Sequence, residues 1–386
     1  MNKRQIYLDH AATTPLDARV LEAMVPYLKE QYGNASSVHA LGRKARFAVE
    51  ESREHIAAIL GVMPGEIVFT SGGTESNNTA VKGALKQAER LLVTSVVEHE
   101  AILTQAHSLQ KAGNEVKLLP PGRHGRLTAS DIVALDLPAG SIVSLMHGNN
   151  ETGSLSDVAA IGAYCAKQEI LFHTDAVQTA GLYDLQSIIE EVDLLSVSAH
   201  KFYGPKGVGC LVVTRNAELA TLIEGGAQER RRRGGTENVA GIVGMAHALA
   251  LAVEERAVRV AHLRVLKRRL ISALEGLLDA GSYVLNTSPQ EEESIPHIVN
   301  VAFKPVDGKA MDGEMLILNL DLEGVMVSSG SACTSGAIEP SHVLLGLGLD
   351  QDTAAAAVRF SLGKDTTSED IDYAVDKLGT IIKRMR

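Results

Sequence analysis

The sequence predicts an α/β fold whose sheet is mostly parallel and covered by helices on both faces, and three observations carry that prediction. Strand-like runs such as residues 142–146 (Ile-Val-Ser-Leu-Met) are apolar with little polar alternation, as strands buried on both faces are. Stretches of helical period separate these runs through the first two thirds of the chain, the alternation expected of a layered α/β domain. Glycine-rich turns follow two of the runs, at Gly72-Gly73 and Gly204 to Gly209, where another group can come close to the backbone.

In chain order, residues 43–60 read as an amphipathic helix and residues 66–70 as a short strand. The turn Ser71-Gly72-Gly73-Thr74-Glu75-Ser76 leads into a second helix that runs to about residue 90. Residues 91–95, 142–146, 170–173, 193–197 and 207–213 are further β-rich runs. From residue 236 to about 280 the chain is rich in alanine and leucine with regularly placed charges, which reads as one long helix or two. That stretch links the sheet domain to a smaller C-terminal α/β unit. Within this unit, residues 328–336 (Ser-Ser-Gly-Ser-Ala-Cys-Thr-Ser-Gly) are too small to build a core and read as a soft, mobile loop.

A chain of 386 residues, 45% hydrophobic, is long enough for a large and a small domain that share segments and bury a deep site. The net charge of −10 argues against binding a nucleic-acid backbone, which calls for a basic face. One basic run, Arg230-Arg231-Arg232-Arg233, reads either as a solvated cluster or as a contact for an anion or an acidic partner. No apolar run approaches the ~20 residues of a membrane span, and the first residues lack the apolar core of a signal peptide. Cys165, Cys210 and Cys333 include no close pair, so neither a disulfide framework nor a zinc cluster is expected. The histidines lack the spacing of a helical zinc motif, and no metal is expected. A soluble, cytoplasmic setting fits best.

The chemistry centres on Lys201, which a strand-like run delivers into Ser198-Ala199-His200-Lys201-Phe202-Tyr203-Gly204. A lysine at the end of a buried strand, beside an imidazole, loses its proton more easily than a free one. That is the requirement of a Schiff-base lysine carrying an aldehyde cofactor. Gly73 and Thr74 open a helix and make a phosphate cradle, or no more than a capped turn; Ser198 and His200 would add donors. Asp175, ending an apolar run, is either a helix cap or the partner of a protonated pyridine nitrogen. His99 either caps a helix or lies on an aromatic ring. Arg359, inside an apolar run, makes a structural ion pair or a fork for a substrate carboxylate. Cys165 and Cys210 read as packing residues, whereas Cys333, among Ser, Gly and Thr, reads as a nucleophile.

Taken together, these motifs resemble the NifS/IscS-type cysteine desulfurases, pyridoxal-phosphate enzymes related to class V aminotransferases. The resemblance runs almost end to end. It includes Tyr7-Leu8-Asp9-His10-Ala11-Ala12-Thr13-Thr14-Pro15, Thr70-Ser71-Gly72-Gly73-Thr74-Glu75-Ser76-Asn77-Asn78 and Asn149-Asn150-Glu151-Thr152-Gly153. His173-Thr174-Asp175-Ala176-Val177-Gln178, the Lys201 segment, the Cys333 loop and Arg359-Phe360-Ser361-Leu362-Gly363 complete it. The resemblance implies an aspartate-aminotransferase-like fold: a large domain (15–260) with a seven-stranded, mostly parallel sheet between helices, and a smaller α/β domain (1–14 and 261–386).

The resemblance also implies roles. Lys201 matches the lysine that binds pyridoxal 5'-phosphate, Asp175 the partner of its ring nitrogen, Gln178 the donor to the ring oxygen and His99 the stacking imidazole that shuttles a proton. Gly73, Thr74, Ser198 and His200 match the phosphate site. Thr236 matches a threonine that reaches the neighbouring subunit's phosphate, which implies a homodimer. Asn150 matches a contact to cofactor and substrate, Arg359 the contact to the substrate carboxylate, and Cys333 the nucleophile that becomes a persulfide. The implied reaction converts L-cysteine to L-alanine and passes the sulfur to an acceptor protein, such as an iron–sulfur cluster scaffold or a thiolation protein. A selenocysteine lyase, a class V aminotransferase and a non-catalytic scaffold are the rival readings. The sequence departs from the family pattern at Ala227, at Arg231 (where glycine is common), at Gly148 (where an apolar residue is usual) and at the variable position His10.

Overall fold

The computed structural model describes residues 4–87, 90–214, 217–330 and 340–385. Among these lie the strands β1 (Ile6–Tyr7), β2 (Ile67–Thr70), β3 (Leu92–Ser95), β4 (Val116–Leu119), β5 (Ile142–Met146) and β6 (Leu171–Asp175). They continue with β7 (Leu194–Ser198), β8 (Gly209–Val213), β9 (Tyr283–Leu285), β10 (Ile298–Phe303), β11 (Val325–Met326) and β12 (Ala357–Ser361). The main sheet has seven strands in the order β2-β8-β7-β6-β5-β3-β4. All run parallel except β8, which pairs antiparallel with both β2 and β7. This is the seven-stranded, mostly parallel sheet that the sequence led us to expect.

Every residue of β2, β3, β5, β7 and β8 is buried, which is why these strands read as unbroken apolar runs. The edge strand β4 is only partly buried, and its run carried no comparable signal. The helices Ala40–Leu60 and Gly73–Gln87 stand close to their expected places. The alanine-rich stretch divides into two helices, Val239–Glu254 and Arg256–Leu277, that meet at Glu255.

A second, three-stranded antiparallel sheet, β12-β10-β9, packs with β1 and β11. Ile6 and Leu8 from the N-terminal arm share its core with Leu263, Leu270, Phe303, Phe360 and Leu378. Leu8 is tied to this layer by its N–H, which donates to the Met326 carbonyl at 2.9 Å. Ser361 in turn donates its N–H to the Leu8 carbonyl at 2.7 Å. Residues 8–14 then run on toward the carboxyl ends of the main-sheet strands, so the arm spans both layers.

Half of the arginine run is committed to the fold. Glu229, buried, accepts from both terminal nitrogens of Arg53 (2.9 and 2.8 Å) and from the Phe69 N–H (2.8 Å). Arg232 donates to the Gly65 carbonyl and Arg233 forks onto Glu75, which leaves Arg230 and Arg231 exposed. Glu229, Arg230 and Arg231 have φ of 45°, 55° and 67°, three consecutive side-chain-bearing residues in the left-handed region. Such a conformation costs a non-glycine residue about 1–2 kcal/mol. Glycine at 231 would relieve that strain but would give the unfolded chain about 0.5–1 kcal/mol of extra entropy. Arg231→Gly is therefore expected to raise the unfolding free energy by about 0.5–1 kcal/mol, read from the denaturation midpoint; a lower midpoint would contradict stored strain here.

Candidate active site

The functional side chains share one origin: the carboxyl ends of adjacent strands, where open α/β sheets bind ligands. Gly73 and Thr74 open the helix that follows β2, and His99 lies just beyond β3. Asn150 follows β5, Asp175 is the last residue of β6, Ser198 is the last of β7, and His200 and Lys201 sit in the 3-10 turn that follows. One cavity of about 490 Å³ is lined by Gly73, Thr74, His99, Asn150, Asp175, Gln178, Ser198, His200, Lys201 and Arg359. These are all the sequence-derived site residues except Thr236 and Cys333. Thr236 lines a separate space of about 100 Å³ and is not brought to this cavity by its own chain. Cys333 lies outside the described residues.

Lys201 Nζ donates to the carbonyls of Ala11 (2.6 Å) and Ala12 (2.7 Å) on the N-terminal arm. Burial, and then the Arg359 guanidinium, lower its pKa from 10.5 to about 8. Asp175 accepts from Asn77 Nδ2 at 2.6 Å and from the Val177 N–H at 2.9 Å. His99 caps the helix Glu100–Lys111: its Nδ1 accepts the Ala101 N–H at 3.0 Å. The neutral ring therefore carries its proton on Nε2, and burial lowers its pKa. Gln178 Nε2 donates to the Ala11 carbonyl at 2.9 Å. His200 Nδ1 contacts Thr13 Oγ1 at 3.1 Å, and burial followed by Lys201 takes its pKa to about 4. Of the two roles that the sequence left open for His99, the helix cap is present, and the ring also lines the cavity.

Arg359 donates to Asp9 Oδ1 and to the Asn150 carbonyl, both at 2.8 Å. The ion pair foreseen as the structural reading is therefore present, 350 residues apart in sequence. It leaves Arg359 Nε buried without a partner among the described residues.

The site accepts a flat cofactor with an anionic arm. A cleft of about 340 Å³ continues from the cavity along Thr13, Ser71, Gly72, Gly73, Thr74, Ser198, His200 and Lys206, where helix-start N–H groups, hydroxyls and a cation suit a phosphate. A Cβ on Gly73 would come 2.8 Å from Val177 Cγ2, so any larger residue there would have to displace that side chain. At the other end, Asn77 Oδ1 is buried without a partner among the described residues while its Nδ2 holds Asp175. The donor set of amine, carboxylate, imidazole and phosphate cradle fits pyridoxal phosphate. Gly148 also lines the cavity; a Cβ there would meet Thr179 Cγ2 at 2.7 Å.

Several contributors went unmarked in the sequence. Asp9 orients Arg359, and Asn77 orients Asp175. Glu98 is fully buried behind the site, and burial raises its pKa well above the usual value. Glu151, also buried and raised by burial, accepts from Ser341 Oγ at 2.5 Å. Asp9, Asn77 and Glu151 sat inside quoted motifs, but no local pattern marked them, because their partners are distant in sequence.

The aminotransferase class-V family model matches residues 6–374. The chain is 45% identical over 387 residues to a cysteine desulfurase IscS of Dictyoglomus turgidum, covering 100% of this chain and 96% of the relative. Among solved structures, a NifS-like protein superposes with a TM-score of 0.89 at 36% identity, covering 99% of this chain and 100% of that one. The structure of SspA in complex with cysteine superposes with a TM-score of 0.77 at 34% identity, covering 94% of this chain and 99% of that one.

Proposed function

Because this chain belongs to the aminotransferase class-V family, we infer that it is a pyridoxal-phosphate-dependent cysteine desulfurase, converting L-cysteine to L-alanine and taking the sulfur as an enzyme persulfide. The observation that carries the reading is the convergence of Lys201, Asp175, His99 and Arg359 on one cavity. When bound, pyridoxal phosphate supplies an electron sink for the pair released at the substrate Cα.

In this proposal Lys201 holds the cofactor and, as a free amine, takes the Cα proton on Nζ. Asp175, fixed by Asn77, would hold the ring nitrogen protonated, and Gln178 and Asn150 would help to hold the ring. Gly73, Thr74, Ser198 and His200 bind the phosphate. The Arg359 fork, held by Asp9, fixes the substrate carboxylate through its remaining donors. His99 moves a proton at the substrate sulfur from Nε2. The Cys333 thiolate attacks that sulfur: an S–S bond forms, the C–S bond breaks, and the pair stays with the carbon that becomes the alanine methyl. The persulfide sulfur then passes to an acceptor protein.

Thr236, which does not line its own chain's cavity, completes the partner's phosphate site in a homodimer; a single-chain mass by light scattering would remove this assignment. Among the described residues no helix is long and apolar enough to cross a membrane, in keeping with a cytoplasmic setting, which fractionation tests.

Incubation with cofactor and L-cysteine is expected to give alanine and a persulfide mass shift on the protein. Formation of 3-mercaptopyruvate in place of alanine would mark transamination, and pyruvate with ammonia and free sulfide would mark β-elimination; either outcome overturns the reading. Arg359→Ala is expected to raise the half-saturating cysteine concentration ~10-fold or more; an unchanged value would leave Arg359 with only its ion pair to Asp9.

A further inference from the structure

Tyr203 stands two residues beyond Lys201 with φ of 66°, a left-handed conformation that a bulky aromatic residue rarely adopts. Such strain persists only where the surroundings over-determine it, and it gathers at functional sites. The surroundings here do over-determine it. The Tyr203 N–H donates to Thr14 Oγ1 at 2.8 Å, and its carbonyl accepts the Asp17 N–H at 3.1 Å. Its hydroxyl accepts the Lys364 N–H at 2.7 Å. Two cations lie over its ring, with Arg259 Cζ 4.9 Å and Lys364 Nζ 4.7 Å from the centroid.

These ties converge on the lysine turn. Thr14, which receives the Tyr203 N–H, donates both its own N–H and its Oγ1 proton to the His200 carbonyl, each at 3.0 Å. The peptide joining His200 to Lys201 and the backbone of Tyr203 are therefore pinned to one threonine on the N-terminal arm. That same arm supplies the carbonyls of Ala11 and Ala12 to Lys201 Nζ. The cations that flank the ring are themselves anchored: Lys364 pairs with Asp17 at 2.5 Å and Arg259 with Glu255 at 2.6 Å. Arg19 bridges Asp17 and Glu255 at 2.8 and 2.7 Å. A closed circuit of charge thus surrounds Tyr203 and links the arm, the helix Arg256–Leu277 and the segment after β12.

We propose that Tyr203 is a positioning residue for this reaction, a strained and clamped pivot that aims Lys201 Nζ at the substrate Cα–H bond. The proposal rests on the assignment of Lys201 as the base. Misplacement of a reacting group by about 1 Å costs on the order of 10²-fold in rate, so a small release at the pivot reaches the proton transfer while leaving the cofactor bound.

The test compares the cofactor-loaded wild type with Tyr203→Phe, which keeps the ring but loses the hydroxyl tie, and Thr14→Val, which removes the threonine tie by another route. Turnover is measured with ordinary and Cα-deuterated cysteine. Both variants are expected to keep the cofactor absorbance and the wild-type KM, to lose about 10- to 100-fold in kcat, and to show a larger isotope effect on kcat, because proton transfer has become limiting. A wild-type kcat in both variants overturns the proposal. So does a fall in kcat that merely tracks lost cofactor with the isotope effect unchanged, the outcome of a purely structural role. Failure of the wild type itself to bind cofactor or form alanine would instead count against the assignment of Lys201.

Discussion

Lys201→Ala is expected to abolish cofactor-derived visible absorbance that survives desalting and to lower alanine formation by at least about 10²–10⁴-fold, the contribution of general-base catalysis alone. Retention of the tightly held chromophore, or turnover within tenfold of wild type, would place the cofactor lysine elsewhere. The pH dependence of cofactor capture gives the same residue a second readout. Capture needs the neutral amine, whose fraction rises with pH through the pKa of Lys201. Burial lowers that pKa to about 8 from 10.5, so the capture rate of the apoprotein is expected to reach half its limit near pH 8 and to level off above about pH 9. A rate still climbing at 10 would mean that the amine is titrating like a solvated lysine.

The large effect follows from how little else can substitute. Among the described lining residues, Lys206 is the other lysine at the cleft, and it borders the phosphate end with Ser71 and Gly72 rather than the face near Asp175. His99 and His200 have pKa values lowered chiefly by burial, and neither can form the covalent attachment that a primary amine provides.

How far the sequence reaches is decided by the range of the interactions involved. The central strands were legible because burial on both faces leaves one unbroken apolar run per strand, as in Ile142–Met146. The direction of β8 was not, since an antiparallel strand buried on both sides has the same composition as a parallel one. The three-stranded sheet β12-β10-β9 escaped for another reason: its register, such as Asn300 opposite Arg359, joins segments far apart in the chain. Lys201, Asp175 and Thr74 were legible because each ends a strand or opens the element after it, so local sequence marks both the residue and its placement. Asp9, Asn77 and Tyr203 were not, because their partners Arg359, Asp175 and Lys364 lie 350, 98 and 161 residues away. The arginine run was misleading in a similar way. Four consecutive cations read as a surface patch, yet two of them are spent on Gly65 and Glu75 inside the fold.

Cys333→Ala is expected to separate the two halves of the reaction. The variant should load cofactor and change its visible spectrum on addition of cysteine, since Lys201, Asp175, His99 and Arg359 are untouched, yet form neither persulfide nor catalytic alanine. The structure sharpens this expectation through the other two thiols. Cys165 and Cys210 are buried, and burial pushes both up to about 12. At pH 7 each is thiolate in on the order of one molecule in 10⁵, and it is the thiolate that attacks sulfur. Neither lines the active cavity. The thiol expected to take the sulfur is therefore Cys333, which lies outside the described residues. Mass analysis after cysteine treatment decides the point: the wild type should gain one sulfur on the peptide containing residue 333, and Cys333→Ala should gain none. A persulfide on Cys165 or Cys210, or alanine released by the variant at the wild-type rate, would assign the nucleophile elsewhere while leaving the cofactor site as described.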